Sequence, residues 1–255
     1  MVYKTLLLER QEGVGVITLN RPKQLNALNV ALTAELDQAI SNLESDDEVK
    51  AIIITGAGDK AFSAGGDIHE MTQQSGVRLK QRSSRRVDQN WHLATCKKPT
   101  IGAINGLAYG GAALMSSTFD IRIGCERSSF RFLGVSYGRV NATWTLPLIV
   151  GWPIAKELLF TGRLVEAEEA LRIGLLNKLV PSSELMKAAI DMGQAIAMNN
   201  PASVQGIKEI LTRNIGMSWR EMLLNEAQMV SQSLKPPPPE ESFRDFLERK
   251  GSQKL

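Results

Sequence analysis

The chain has 255 residues, 43% of them apolar and 22% charged, and a formal net charge of +3. That balance is ordinary for a soluble globular protein, and the length gives one large domain or a domain with a small appendage. A charge this close to neutrality argues little for a nucleic-acid partner, which usually demands a concentrated basic face. Only His69 and His92 supply imidazole, and no metal-ligand spacing appears, so no metal site is expected. Cys96 and Cys125 form no CxxC pair and suggest no disulfide framework. A reducing, cytoplasmic compartment is therefore the expectation. The first residues, "MVYKTLLLERQEG", hold too short an apolar run for a signal peptide, and no stretch is long enough to span a membrane.

In chain order, "YKTLLLERQEGVGVITLNRP" reads as two short strands around a Glu12-Gly13 turn. In the segment that follows, Leu32, Leu36, Ile40 and Leu43 fall on one helical face, with Asn29 placed to cap it. "VKAIIITGAG", "KPTIGAING" and "FDIRIGCE" are apolar runs of the kind that buried parallel strands make, the first two ending in glycine. Helix-like stretches separate them, which implies a largely parallel α/β sheet. The stretch "RLKQRSSRR" at 78–86 has three readings: a solvated helix face, a nucleic-acid contact, or a basic rim that steers a phosphate-bearing ligand. From about Trp152 the pattern turns helical, and Pro236 to Pro239 read as a stiff spacer before a last short amphipathic helix. The expected layout is an α/β core over 1–195 and a helical region over 196–255 whose apolar faces need a covering, a partner subunit being one candidate.

Two glycine turns carry the chemistry, "GDKAFSAGGDI" at 58–68 and "INGLAYGGAAL" at 104–114. Small residues after a strand let a ligand approach the backbone, and free N–H groups at a helix start point outward with partial positive charge. Two such groups aimed at one point make an oxyanion hole. The bland alternative is that these glycines only close tight turns.

The ordered motifs "LNRPKQLNAL", "AFSAGGDI", "KKPTIGAINGLAYGG", "FDIRIG", "LPLIVG", "AKELLFTGR", "GLLNKLVP" and "FLERK" resemble the crotonase (enoyl-CoA hydratase/isomerase) superfamily from end to end. The resemblance implies a spiral of ββα units with a C-terminal helical trimerisation region, assembled as a homotrimer or homohexamer. It implies an acyl-CoA thioester as the ligand, with coenzyme A as part of the substrate and no tightly bound cofactor. By position it assigns the two oxyanion N–H groups to Gly66 and Gly111. It assigns CoA contacts to Lys23, Leu25 and Ala27, to Ala64, Gly65, Asp67 and Ile68, and to Phe246 and Lys250 in the terminal helix. Asp67 reads equally as a helix cap and Phe246 as core.

Hydratases of that family use two glutamates. The positions that match them here hold Leu114 and Gly134, and the segment 127–144 contains no carboxylate at all. Water addition needs a general acid and base, so simple hydratase chemistry is not expected. The resemblance leaves an oxyanion hole beside an uncharged pocket. That suits decarboxylase- or synthase-like chemistry in which the substrate supplies its own leaving group, with room at Gly134 for a small anion. Asn141 and, after it, Tyr137 are the candidate polar catalytic side chains. A catalytically silent acyl-CoA-binding subunit and a residual hydratase stay open.

Overall fold

The computed structural model describes residues 2–73, 76–243 and 247, with the backbone alone for 76–83. Strands β1 (Leu6–Gln11) and β2 (Val14–Leu19) form an antiparallel hairpin. Its two-residue loop holds Glu12 at φ 46° and Gly13 at φ 82°, the double positive φ that a tight right-twisted hairpin requires. Helix α1 (Val30–Glu44) follows, and the Asn29 side chain accepts a hydrogen bond from the Leu32 amide at 2.8 Å, as its cap position predicts. Leu32, Leu36, Ile40 and Leu43 are all buried on the expected face.

Three strand-strand-helix units come next. The first is β3 (Ala51–Gly56), β4 (Ala61–Ser63) and the helices α2 (Ile68–Thr72) and α3 (Gly76–Thr95). The second is β5 (Thr100–Ile104), β6 (Leu107–Tyr109) and α4 (Gly111–Ser116). The third is β7 (Ile121–Gly124), β8 (Ser129–Arg131) and α5 (Leu146–Thr161). In each unit the first strand joins one sheet and the second strand another. The larger sheet runs β1-β2-β3-β5-β7-β10 and the smaller β4-β6-β8-β9. Pairing is parallel from β2 through β3, β5 and β7, and from β4 through β6 to β8. This is the spiral of ββα units that the resemblance implies.

The central strands β3 and β5 of the larger sheet are buried along their whole length and are mostly apolar, whereas the edge strand β1 is largely exposed. Ile52 and Ile54 point into one core with α1, whereas Ile53 points into the other with Leu185, Ala188 and Ala189. The segment after Trp152 is less uniformly helical than its pattern suggests. It contains the two-residue strands β9 (Val165–Glu166) and β10 (Lys178–Leu179) around α6 (Ala167–Arg172). Both exist because a distant partner, β8 or β7, supplies the ladder. Helix α7 (Leu185–Ala197) supplies the second core, and α8 (Pro201–Arg213), α9 (Trp219–Gln232) and the short α10 (Pro239–Ser242) follow it among the described residues. The chain divides into two compact units, 1–201 and 202–255. In the second, Ile210 and Met229 are buried while Ile207, Leu211, Leu223 and Leu224 are exposed, and Trp219 is 91% exposed. No helix among the described residues is long and apolar enough to cross a membrane.

Two buried cations hold helix ends in place. Lys98 gives its ammonium to the Leu43 carbonyl at 2.6 Å, in the last turn of α1. Arg122 gives its guanidinium to the carbonyls of Leu175 at 2.8 Å, Ser116 at 3.3 Å and Phe119, gathering the end of α4. A cation there also meets the negative end of the helix. Burial pushes the Arg122 guanidinium down to about 10, so it remains charged at neutral pH. Arg122→Met should strip those carbonyls of their donor and lower the unfolding free energy by about 2–4 kcal/mol. Urea denaturation checks this, and an unchanged midpoint would show that the guanidinium is dispensable.

Candidate active site

The site forms where β4 and β6, neighbours in the smaller sheet, release their chains. The turn after β4 holds Gly65 at φ 86°, a left-handed conformation that favours glycine. A Cβ there would stand 2.4 Å from the Tyr109 carbonyl oxygen and 2.9 Å from the Gly111 nitrogen. The turn after β6 passes through Gly110 at φ 54° into α4. A Cβ on Gly111 would stand 3.5 Å from the Gly66 nitrogen. The backbones of 65–66 and 110–111 therefore press together, and at position 65 only glycine permits that approach. Among the described residues, neither the Gly66 nor the Gly111 N–H donates a hydrogen bond within the chain. The structure thus brings the two predicted donors to one place.

The loop before α1 and the turn after β4 are stitched to each other. Leu28 N donates to Gly65 O at 2.7 Å, Ala64 N to Leu25 O at 2.9 Å, and Asp67 N to Leu28 O at 3.2 Å. Asp67 caps α2 through the Glu70 amide at 3.2 Å and pairs with Arg21 at 2.9 Å. Burial pushes the Asp67 carboxyl up, but the Glu70 amide and the Arg21 guanidinium outweigh it and hold the group below its ordinary value. Its cap role is thereby fulfilled within the chain. Lys23 and Leu25 line an open cleft of about 270 Å³ together with Lys60, Asp59 and Gly58. Lys60 is a second cation that sequence reasoning missed; it lies just before β4, close in space to Lys23 only through the fold. Ala27 is buried, with its carbonyl accepting from Arg21 at 2.5 Å, while Ala64 is half-buried and Ile68 is exposed. Phe246 and Lys250 lie outside the described residues.

Leu114 sits in α4 and belongs to the apolar core at 7% exposure. Gly134 is buried, and the space beside it is not vacant. A Cβ at 134 would meet the Arg139 carbonyl oxygen at 2.8 Å and the Asn141 side-chain oxygen at 2.9 Å. The expected room for a small anion directly on Gly134 is therefore filled by the chain itself. The two candidates separate here: Asn141 packs onto Gly134, whereas Tyr137 stands 64% exposed on a one-turn 3-10 helix, Val135–Tyr137.

The pocket beside the glycines is not uncharged, as the sequence had suggested. Arg86 of α3 lies across both turns, with Nη2 2.7 Å from the place of a Cβ on Gly111 and Nη1 3.6 Å from that on Gly66. Arg86 also lines a cavity of about 30 Å³ with Leu28, Leu36, Leu93, Met115 and Asp37. Asp37, from α1, is held by His92 Nδ1 at 2.6 Å, and His92 Nε2 lies 3.5 Å from Glu44. The sequence did contain a signal. Arg86, Gln89, Asn90 and Leu93 line one cavity at the i, i+3, i+4, i+7 spacing of a single helix face. The charge run around Arg86 masked it.

Comparison with known proteins agrees with this architecture. Residues 9–253 match the family described as "Enoyl-CoA hydratase/isomerase". The "Short-chain-enoyl-CoA hydratase" of Clostridium acetobutylicum is 35% identical over 254 residues, covering 98% of this chain and 97% of that protein. The crystal structure of enoyl-CoA hydratase from Bacillus anthracis superposes with a TM-score of 0.91 at 30% identity, over 96% of this chain and 97% of the other. DspI of Pseudomonas aeruginosa superposes with a TM-score of 0.89 at 28% identity, over 98% and 96% of the two chains. The family acts on CoA thioesters without a tightly bound cofactor, coenzyme A being part of the substrate. With its ββα spiral, its paired glycine turns and this agreement along nearly its whole length, the chain belongs to the enoyl-CoA hydratase/isomerase (crotonase) family.

Proposed function

We propose that the protein binds an acyl-CoA thioester with its carbonyl oxygen between the Gly66 and Gly111 N–H groups and stabilises an enolate there, without the carboxylate pair of a hydratase. One observation carries this reading. The two amides meet over a pressed glycine contact, while Leu114 and Gly134 put no carboxylate beside it. Such donors act on charge that develops during reaction, and in a site screened from water they act strongly. Lys23 and Lys60 in the adjoining cleft suit the phosphates of the CoA moiety.

The reaction that fits is decarboxylase- or synthase-like. In a malonyl-type thioester the bond between Cα and the carboxylate breaks, and its electron pair moves into the thioester enolate. Carbon dioxide leaves, and Cα takes a proton from water. No enzyme carboxylate is needed for the cleavage. Asn141, against Gly134, is the polar side chain best placed to orient the acyl group; Tyr137 is a weaker candidate because its ring faces outward. Residual hydratase activity is the second reading, favoured by the names of the hydratases that are about a third identical to this chain. The exposed apolar residues of α8 and α9 support a homotrimer or homohexamer, and the two buried cysteines, held as thiols, suit the cytoplasm.

Purified protein offered crotonyl-CoA and a panel of malonyl- and methylmalonyl-type thioesters, with products followed by mass, should convert the second class and leave the first. Rapid hydration of crotonyl-CoA would overturn the reading, and binding of all thioesters without turnover would mark a silent subunit. Gly111→Pro keeps a residue suited to the first helical position but removes the N–H. It should lower kcat about 100- to 1000-fold with circular dichroism unchanged; full activity in the folded variant would exclude the hole. Installing both glutamates, Leu114→Glu with Gly134→Glu, should lower the denaturation midpoint and yield no crotonyl-CoA hydration, because position 134 has no space for a side chain. Recovered hydration would show that the loop 134–141 yields easily.

A further inference from the structure

We propose that Arg21 is a positioning residue for the carbonyl-binding site: its guanidinium heads a chain of hydrogen-bonded peptide groups that ends at the Gly66 N–H, and it strengthens and aims that donor. The inference deepens the acyl-CoA reading above and rests on it. The Arg21 side chain is only 17% exposed. Its Nη1 gives one bond to the Ala27 carbonyl at 2.5 Å and another to the Asp67 carboxylate at 2.9 Å. The carbonyl of Ala27 and the N–H of Leu28 belong to one planar peptide group. Leu28 N donates in turn to the Gly65 carbonyl at 2.7 Å. That carbonyl shares its peptide group with the Gly66 N–H, which donates to nothing in the chain among the described residues. The links therefore run from the guanidinium through 27–28 and 65–66 to the open donor.

A carbonyl that accepts a hydrogen bond draws charge from its own amide nitrogen, so the N–H across the plane becomes a better donor. The effect passes from link to link, and a charged first donor starts it more strongly than a neutral one. The Leu28–Gly65 bond, at 2.7 Å, is shorter than the ordinary length of about 2.9–3.0 Å, as such polarisation requires. The Gly111 N–H ends a chain with as many links but a neutral head. There Ser116 Oγ donates to the Ala113 carbonyl at 2.9 Å, and Leu114 N to the Gly110 carbonyl at 3.1 Å. The charged head is thus what sets the Gly66 donor apart. The same bonds fix direction. In a trans peptide the N–H points opposite to its C=O, so tying the Gly65 oxygen to Leu28 aims the Gly66 N–H away from that loop. Asp67, on the same nitrogen of Arg21, offsets part of the positive charge.

The test reads the bound carbonyl itself. The probe is acetyl-CoA with an isotopically labelled thioester carbonyl, which carries no acyl carboxylate to lose. Calorimetry on the full chain measures its binding, and isotope-edited infrared spectroscopy measures the carbonyl stretch. In the wild type the stretch should lie below its position in water. Arg21→Gln removes the charge and should give back about 10–30% of that downshift, with affinity within about 3-fold of the original. Arg21→Lys should keep more of the downshift than Arg21→Gln does. Asp67→Asn keeps a residue suited to the cap but removes the charge that offsets the guanidinium, so it should move the stretch further down. That variant decides the question where Arg21→Gln fails to fold or to bind. An unchanged stretch in Arg21→Gln with the probe bound, or an unchanged or raised stretch in Asp67→Asn, would overturn the role of Arg21 alone. A wild-type stretch no lower than in water would overturn the oxyanion hole with it, and failure of the wild type to bind acetyl-CoA would overturn the acyl-CoA reading.

Discussion

The site depends on two buried asparagines that replace sheet hydrogen bonds where strands end. Asn26, at φ 54°, donates to the carbonyls of Ala57 and Ala61 at 3.0 and 2.9 Å and accepts from the Arg21 amide at 3.0 Å. Asn105 donates to Gly56 O at 2.7 Å and Gly58 O at 2.8 Å and accepts from Gly56 N at 3.2 Å. Ser63 adds a bond to Asn26 O at 2.7 Å and accepts from Gly65 N at 3.2 Å. Each asparagine satisfies main-chain groups that would otherwise be buried without partners, which is costly in a dry interior. Together they hold the loops after β2, β3 and β5 as one body. Through Ser63 that body also anchors the end of β4, from which the 65–66 turn departs.

Local rules made much of this fold legible. The Glu12-Gly13 hairpin, the Asn29 cap and the stripe Leu32, Leu36, Ile40 and Leu43 each follow from a few neighbouring residues. So do the runs that became β3, β5 and β7, because burial favours a mostly apolar sequence, broken in β7 by the buried Arg122. The strands Val165–Glu166 and Lys178–Leu179 were illegible for the opposite reason. Two residues have no period, and their ladders come from partners far away in sequence. At the site, motif positions led to Gly66 and Gly111. They did not reveal that Asn141 folds back onto Gly134, since a loop closure across seven residues leaves no pattern. Nor did they reveal Arg86, which shares a helix face with Leu93 but stands at the end of a run of charges that reads as solvated surface.

The charged side chains around the glycine turns have structural partners. The carboxylates near them are committed to structure. Asp67 caps α2 and pairs with Arg21, Glu70 accepts from the Val30 amide at 3.0 Å, and Glu44 accepts from the Lys97 amide at 2.6 Å. Burial pushes the Glu44 carboxyl up, yet the Lys97 amide and His92 outweigh that and hold it low. What faces the glycine pair is a guanidinium and backbone N–H groups.

The pairing of β4 with β6 has a consequence for how such a site persists. Gly66 and Gly111 follow two hydrogen-bonded strands within three residues of their ends. Adjacent strands lie about 4.8 Å apart whatever side chains they carry. The spacing of the strands that lead into the two glycine turns is thus set by peptide geometry, while Gly65 lets the turns themselves close on each other. Acidic and basic side chains around it are free to come and go. The spacing between the two main-chain turns stays the same, so on the reading proposed above one scaffold could exchange its reaction while holding the same carbonyl.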